Sequence, residues 1–139
     1  MSNPPPSTPS DARVRVLVVD DNSTMLAVIG EVLSAECEIV GTCSDGSAAL
    51  AALSTLSVDV IVLDISMSGM SGLDVAVEAR QRGCHTPIVF ISASEDAEII
   101  AAAQAAGGLG YVVKLRLISD LLHAVREARN GRAFVSRGQ

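Results

Sequence analysis

The sequence predicts an α/β domain, a doubly wound sheet of five parallel strands in the order 2-1-3-4-5 with five helices. Three observations lead there. From about residue 13 onward, short β-rich apolar runs alternate five times with helix-patterned segments. The runs are apolar almost throughout, the pattern of strands covered on both faces. Carboxylates follow two of them directly: Asp20 and Asp21 after Val14-Arg15-Val16-Leu17-Val18-Val19, and Asp64 after Val58-Asp59-Val60-Ile61-Val62-Leu63. Parallel sheets bind ligands beyond the carboxyl ends of their strands.

The elements follow in order. Residues 1–12, rich in Pro and Ser and without apolar periodicity, read as a disordered leader. The expected strands fall at about 14–19, 38–43, 58–63, 87–92 and 110–113, and the expected helices at about 23–35, 46–56, 72–83, 95–106 and 118–130. Ser71-Gly72-Leu73-Asp74 has the form of a capping box for the third helix. Ser94 is placed to cap the fourth, with Glu95 and Asp96 in its first turn and Gly107 and Gly108 to stop it. The domain is expected to run from 13 to 135, with 136–139 a short tail. Right-handed crossovers and short loops favour the flavodoxin-like strand order, which makes strands 1 and 3 neighbours.

Composition narrows the function. The 139 residues suit one domain, and a formal net charge of -6 argues against a grip on nucleic acid, which needs Lys and Arg at phosphates. With no Trp, one Tyr and two Phe there is no stacking platform for single strands. The basic C-terminal stretch (Arg126, Arg129, Arg132, Arg137) reads as cations at the negative end of the last helix. Cys37, Cys43 and Cys84 lack zinc or disulfide spacing and read as reduced thiols. His85 and His123 have no ligand or triad partner at a suggestive spacing and read as surface residues. No membrane span or signal sequence is evident, so a cytoplasmic location is expected.

The carboxylates carry the chemistry. If strands 1 and 3 are neighbours, Asp20, Asp21 and Asp64 meet at one crevice. Three like charges that close repel unless a cation joins them, and an all-oxygen pocket suits magnesium or manganese. Strand 4 (Ile88-Val89-Phe90-Ile91) ends at Ser92, and strand 5 (Tyr111-Val112-Val113) at Lys114. A nucleophilic carboxylate, a metal, an ammonium and a hydroxyl at one end of a sheet form a seat for a phosphoryl group, whose transfer is mostly positioning and charge neutralisation.

On these residues the chain resembles the receiver domain of two-component response regulators. The matching stretches are Val18-Val19-Asp20-Asp21, Val62-Leu63-Asp64-Ile65-Ser66-Met67 through Gly69-Met70-Ser71-Gly72, Ile91-Ser92-Ala93, and Ala106-Gly107-Gly108-Leu109-Gly110-Tyr111-Val112-Val113-Lys114. The resemblance implies that Asp64 is the phosphoacceptor, with a sensor histidine kinase as donor. It implies Mg²⁺ held by Asp21 directly, by Asp20 through water, by Asp64, and by the backbone carbonyl of Ser66. Lys114 pairs with Asp64 and then with the phosphoryl group. Ser92 is the switch hydroxyl and Tyr111 the aromatic that turns inward with it, biasing a surface made of the fourth helix, fifth strand and fifth helix. That surface is where a homodimer or an output partner is expected. The domain would phosphorylate and dephosphorylate itself without acting as an enzyme on a separate metabolite. Asp64-Ile65-Ser66-Met67, Val40-Gly41, and the tail Leu121 through Ser136 resemble receivers that precede a LuxR-type helix-turn-helix output. Too few residues follow the fifth helix for such an output, so a stand-alone receiver and a cut regulator both stay open.

The chain departs from the family pattern at three positions. Ser68 stands where Pro is usual, which predicts a less stiff loop after Asp64. Leu115 rather than Pro follows Lys114, and the bond between them is expected to be trans. Gly108 stands where Ala is usual and predicts a mobile entry to the fifth strand. Three other functions compete. A phosphatase resembling the haloacid dehalogenase group needs Asp-x-Asp after strand 1, where this chain has Asp20-Asp21-Asn22. A Rossmann nucleotide domain needs a Gly-rich phosphate loop, which is missing. A phosphorylation-independent module with the same fold typically lacks one member of the acidic, Ser and Lys set, which is complete here.

Overall fold

The computed structural model describes residues 13–136; the Pro/Ser-rich leader and residues 137–139 lie outside the described residues. Strands and helices alternate as β1 (Val14–Val19), α1 (Ser23–Ser34), β2 (Cys37–Cys43), α2 (Gly46–Thr55), β3 (Val60–Asp64), α3 (Gly72–Gln81), β4 (Ile88–Ser92), α4 (Ala97–Ala105), β5 (Gly108–Val113), a 3-10 turn at Lys114–Arg116, and α5 (Leu117–Arg129). A sixth strand, β6 (Phe134–Val135), follows. The sheet order is β2-β1-β3-β4-β5-β6, so the expectation of five strands is corrected to six while the order of the first five stands. β6 pairs parallel to β5, Gly110 with Phe134 and Tyr111 with Val135. Two residues are too few to display a period, which is why the sequence does not announce this strand.

Period-two alternation sorts the strand residues into two cores. Val16, Val18, Val62, Val89, Ile91 and Val112 pack with Ile29, Leu33, Leu121 and Val125 of α1 and α5. Leu17, Val19, Leu63, Phe90, Tyr111 and Val113 face α2, α3 and α4 through Leu50, Val75, Ala76 and Ala103. All five residues of β3 are buried, as a central strand requires. Val18 and Val62 are register partners. Asp20 and Asp64 each lie two residues beyond one of them, so alternation sends both to the same face at adjacent strand ends.

Helix starts were partly legible. The capping box is present: Asp74 N donates to Ser71 Oγ at 3.1 Å, and Ser71 N to Asp74 Oδ2 at 3.3 Å. The cap of α4 is Asp96, not Ser94; Asp96 accepts from Glu98 N at 2.8 Å, while Ser94 Oγ accepts from Asp96 N one step earlier. A carboxylate is the better acceptor for the partly positive helix start, so the helix begins two residues later than Ser94 would place it. Gly107, at φ +102°, ends α4, whereas Gly108 already belongs to β5. A Cβ at Gly108 would stand 2.5 Å from Cδ2 of Phe90, so glycine there admits the ring that seals the α4 side of the core. The Lys114–Leu115 bond is trans, as expected.

Candidate functional site

β1 and β3 deliver the acidic residues, and the loops behind them fix their angles. Asp20 is fully buried; its Oδ1 accepts from Asn22 N at 2.8 Å, and Asn22 in turn caps α1 through Met25 N. Oδ2 of Asp20 has no hydrogen-bond partner and lies 3.9 Å from Lys114 Nζ. Asp64 is 1% exposed; its Oδ1 accepts from Ser66 N at 3.3 Å and lies 3.3 Å from Lys114 Nζ. Behind it, a Cβ at Gly72 would collide with the carbonyl oxygen of Asp64, so glycine at the start of α3 lets the helix close onto the strand end. Asp21 is exposed and its Oδ2 accepts from Ser68 N at 2.9 Å and Ser68 Oγ at 3.2 Å. Ser68 therefore ties its loop to Asp21 with two donors, neither of which Pro has. Where the sequence predicts a looser loop, the structure shows a tethered one.

The three carboxylates converge as expected: one oxygen each of Asp20, Asp21 and Asp64 lies within 4.8 Å of the others. The electrostatics follow. Burial first, and the neighbouring Asp20 charge second, push the Asp64 carboxyl up to about 6 against the opposing pull of Lys114. Asp21 is held low, chiefly by the backbone N–H of Ser68. An orphaned buried oxygen beside two further carboxylates is a donor set that fits a hard divalent cation, because an unpaired buried acceptor is costly to leave unmet.

The remaining candidates sit around this cluster. Ser92 ends β4, one residue past the register partner of Asp64, and is buried. Its Oγ accepts from Ser94 N at 3.1 Å, and Ser94 O accepts from the hydroxyl of Tyr111 at 2.7 Å. Ser92 and Tyr111 are thus joined through one loop, a connection that sequence alone gives only as two separate residues. Tyr111 is inward, at 1% exposure. Ser66 contributes its N–H to Asp64 and has an exposed side chain. His85 and His123 are exposed, and His123 meets Phe134 edge-on at 4.9 Å. A cavity of about 390 Å³ lined by Leu50, Leu53, Cys84 and His85 lies between α2 and α3, away from the carboxyl end of the sheet and outside the acidic chemistry.

A second polar cluster was missed. Asp120 on α5 is 7% exposed and accepts from Ser136 Oγ at 2.7 Å, Arg116 Nε at 2.9 Å and Ser119 Oγ at 3.0 Å. Burial raises its carboxyl, but hydrogen bonds from Ser136, Arg116 and Ser119 outweigh this and leave it lowered. The signal was the helix period. Asp120 lies on the face of Leu117, Leu121, Ala124 and Ala128, whereas Ile118 is 80% exposed. Ser136, placed in the tail from sequence, is buried against β5.

The family profile for the response regulator receiver domain matches residues 16–126. The nitrate/nitrite response regulator protein NarP of Escherichia coli is 33% identical over 125 residues, covering 88% of this chain and 58% of its own length. The probable transcriptional regulatory protein NarL of Mycobacterium tuberculosis is 33% identical over 138 residues, covering 98% of this chain and 62% of its own. The chain therefore spans about three fifths of the length of these relatives. Among solved structures, the receiver domain of the response regulator NarL from Mycobacterium tuberculosis superposes with a TM-score of 0.81 at 32% identity, covering 86% of this chain and 98% of that one.

Proposed function

The chain belongs to the response regulator receiver family, and on that premise we propose that it is a phosphorylation switch whose acceptor is Asp64, with a sensor histidine kinase as donor. The observation that carries this is the meeting of three carboxylates within 4.8 Å, with Lys114 Nζ 3.3 Å from Oδ1 of Asp64. A carboxylate oxygen of Asp64 attacks phosphorus. The new O–P bond forms as the P–N bond to the donor imidazole breaks, and that nitrogen keeps the electron pair. Asp20, Asp21, Asp64 and the backbone carbonyl of Ser66 would hold Mg²⁺, which when bound supplies positive charge beside the phosphoryl oxygens. Lys114 neutralises Asp64 before transfer and the phosphoryl oxygens after it. The Ser92 hydroxyl donates to one of those oxygens, and the Ser94 loop passes its movement to Tyr111. Water attack on the acyl phosphate breaks the O–P bond, returns the carboxylate and releases inorganic phosphate, so the domain turns over only its own modification and is no enzyme for a separate metabolite.

The readout surface is α4–β5–α5, now with β6 along the β5 edge, and it would meet a second copy or an output partner. No helix among the described residues is long and apolar enough to cross a membrane; a cytoplasmic site of action accords with a kinase donor. One observation favours a second reading, an interaction module that works without phosphate: Tyr111 already lies inward and bonded to Ser94.

Intact mass after incubation with acetyl phosphate and Mg²⁺ separates the two. A gain of ~80 Da in the wild type that is absent in Asp64→Asn is the expected result. No gain in either, or an equal gain in both, overturns the assignment.

A further inference from the structure

We infer that Ser136 and Asp120 form a latch that positions Lys114, so that the segment after α5 sets where the ammonium stands. This deepens the reading of Asp64 as phosphoacceptor and rests on it. Lys114 is the only lysine of the 139 residues. It reaches from the end of β5 across β4 to Asp64, on a flexible four-carbon stem that carries a point charge. Its local backbone has little to hold it. The Lys114–Arg116 turn and α5 both start without a side-chain cap, and Leu115 is 90% exposed.

The restraint comes from outside the turn. Ser136 Oγ accepts from Val113 N, the residue before Lys114, at 3.2 Å, and donates to Asp120 Oδ2 at 2.7 Å. The same Asp120 oxygen accepts from Arg116 Nε, two residues after Lys114, at 2.9 Å. One hydroxyl and one carboxylate therefore clamp the chain on both sides of the lysine. Ser136 and Asp120 are 5% and 7% exposed, so water competes weakly for either bond. The role needs a group that accepts and donates at once, which a hydroxyl does and a methyl cannot. Ser136 N also donates to Tyr111 O at 2.8 Å, fastening the latch to the strand that carries the switch aromatic. Ser136 and Asp120 are positioning residues; neither touches the acidic cluster.

The single lysine makes the test direct. In protein labelled with ¹³C,¹⁵N-lysine, one set of side-chain signals reports Lys114. Three chains are compared: wild type, Ser136→Ala, and Val58→Ala, a packing change at the far end of the sheet. In Ser136→Ala the Lys114 Cε and Hε signals are expected to move toward free-lysine positions and the Val113 amide to exchange about 5-fold faster. Initial phosphorylation by acetyl phosphate should fall by about 5-fold, the scale of one lost hydrogen bond. Val58→Ala should leave the lysine signals in place. Unmoved lysine signals in Ser136→Ala, or an equal movement in Val58→Ala, would overturn the latch. If the wild type itself takes up no phosphoryl group, the functional reading falls, while the lysine signals still decide the latch.

Discussion

Two buried aspartates, Asp64 and Asp120, live under opposite conditions. Asp64 is 1% exposed, takes one backbone N–H at 3.3 Å, faces Asp20, and has its carboxyl raised to about 6. Asp120 is 7% exposed, takes donors from Ser136, Arg116 and Ser119, and has its carboxyl lowered. Burial pushes both upward; the Asp20 charge adds to it at Asp64, whereas hydrogen bonds from Ser136, Arg116 and Ser119 overcome it at Asp120. An under-supplied carboxylate beside a second one holds unfavourable charge that a cation can relieve. A fully supplied one is a fastening. The same residue type is thus charge-strained in one place and a structural joint in the other, and its charged neighbours and hydrogen-bond donors distinguish them.

The contrast can be tested from its strongest consequence down. Asp120→Ala strands the Ser136 hydroxyl and removes a buried acceptor. Because Arg116 is partly exposed and can rehydrate, the loss should be about 2–4 kcal/mol, or a melting point lower by about 10 °C. Calorimetry showing no loss would end the view of Asp120 as a joint. Asp64→Asn should act in the opposite direction, stabilising the metal-free fold by about 2–3 kcal/mol at pH 7.

The pH dependence follows with a definite sign. The folded Asp64 carboxyl is raised, so its contribution to stability is complete below about pH 4 and is lost as pH rises through about 6. The folded Asp120 carboxyl is lowered, so its contribution is present above the unfolded carboxylate range and lost as pH falls. Denaturant titrations in chelator at several pH values should therefore show the advantage of Asp64→Asn vanish in acid, while the penalty of Asp120→Ala shrinks there. Parallel pH curves for the two variants would refute the opposed shifts.

Mg²⁺ should stabilise the wild type by about 1 kcal/mol at about five times its Kd, and Asp21→Ala should abolish that gain. The smallest effect belongs to Ser68. Its hydroxyl occupies an Asp21 oxygen, so Ser68→Ala should tighten Mg²⁺ by about 2-fold in a calorimetric titration; weaker binding would show that Ser68 assists the site.

What sequence could reveal follows from the same contrast. Asp20, Asp21, Asp64, Ser92 and Lys114 were legible because each ends an apolar run, and a parallel sheet brings run ends together. Asp120 was not, because a polar residue in a helix reads as exposed by default. Only its position on the Leu117–Leu121–Ala124 face betrays it, against the contrary evidence of an exposed Ile118. β6 escaped because two residues carry no period, and Ser68 because its effect lies in two donors that its place in the chain does not disclose.

β6 also governs the route of the chain. α5 runs back along the sheet, so at Arg129 the polypeptide stands near the amino ends of the strands, roughly 20 Å from where the helix began. The turn at Gly131 and the parallel pairing of β6 send it forward again, until the Ser136 hydroxyl meets the backbone N–H of Val113. Anything continuing past that residue sets out from beside the lysine rather than from the opposite rim. A tether rooted there would be short to the acidic cluster and long to the far rim, and would raise the effective concentration of anything it carried at that end of the sheet.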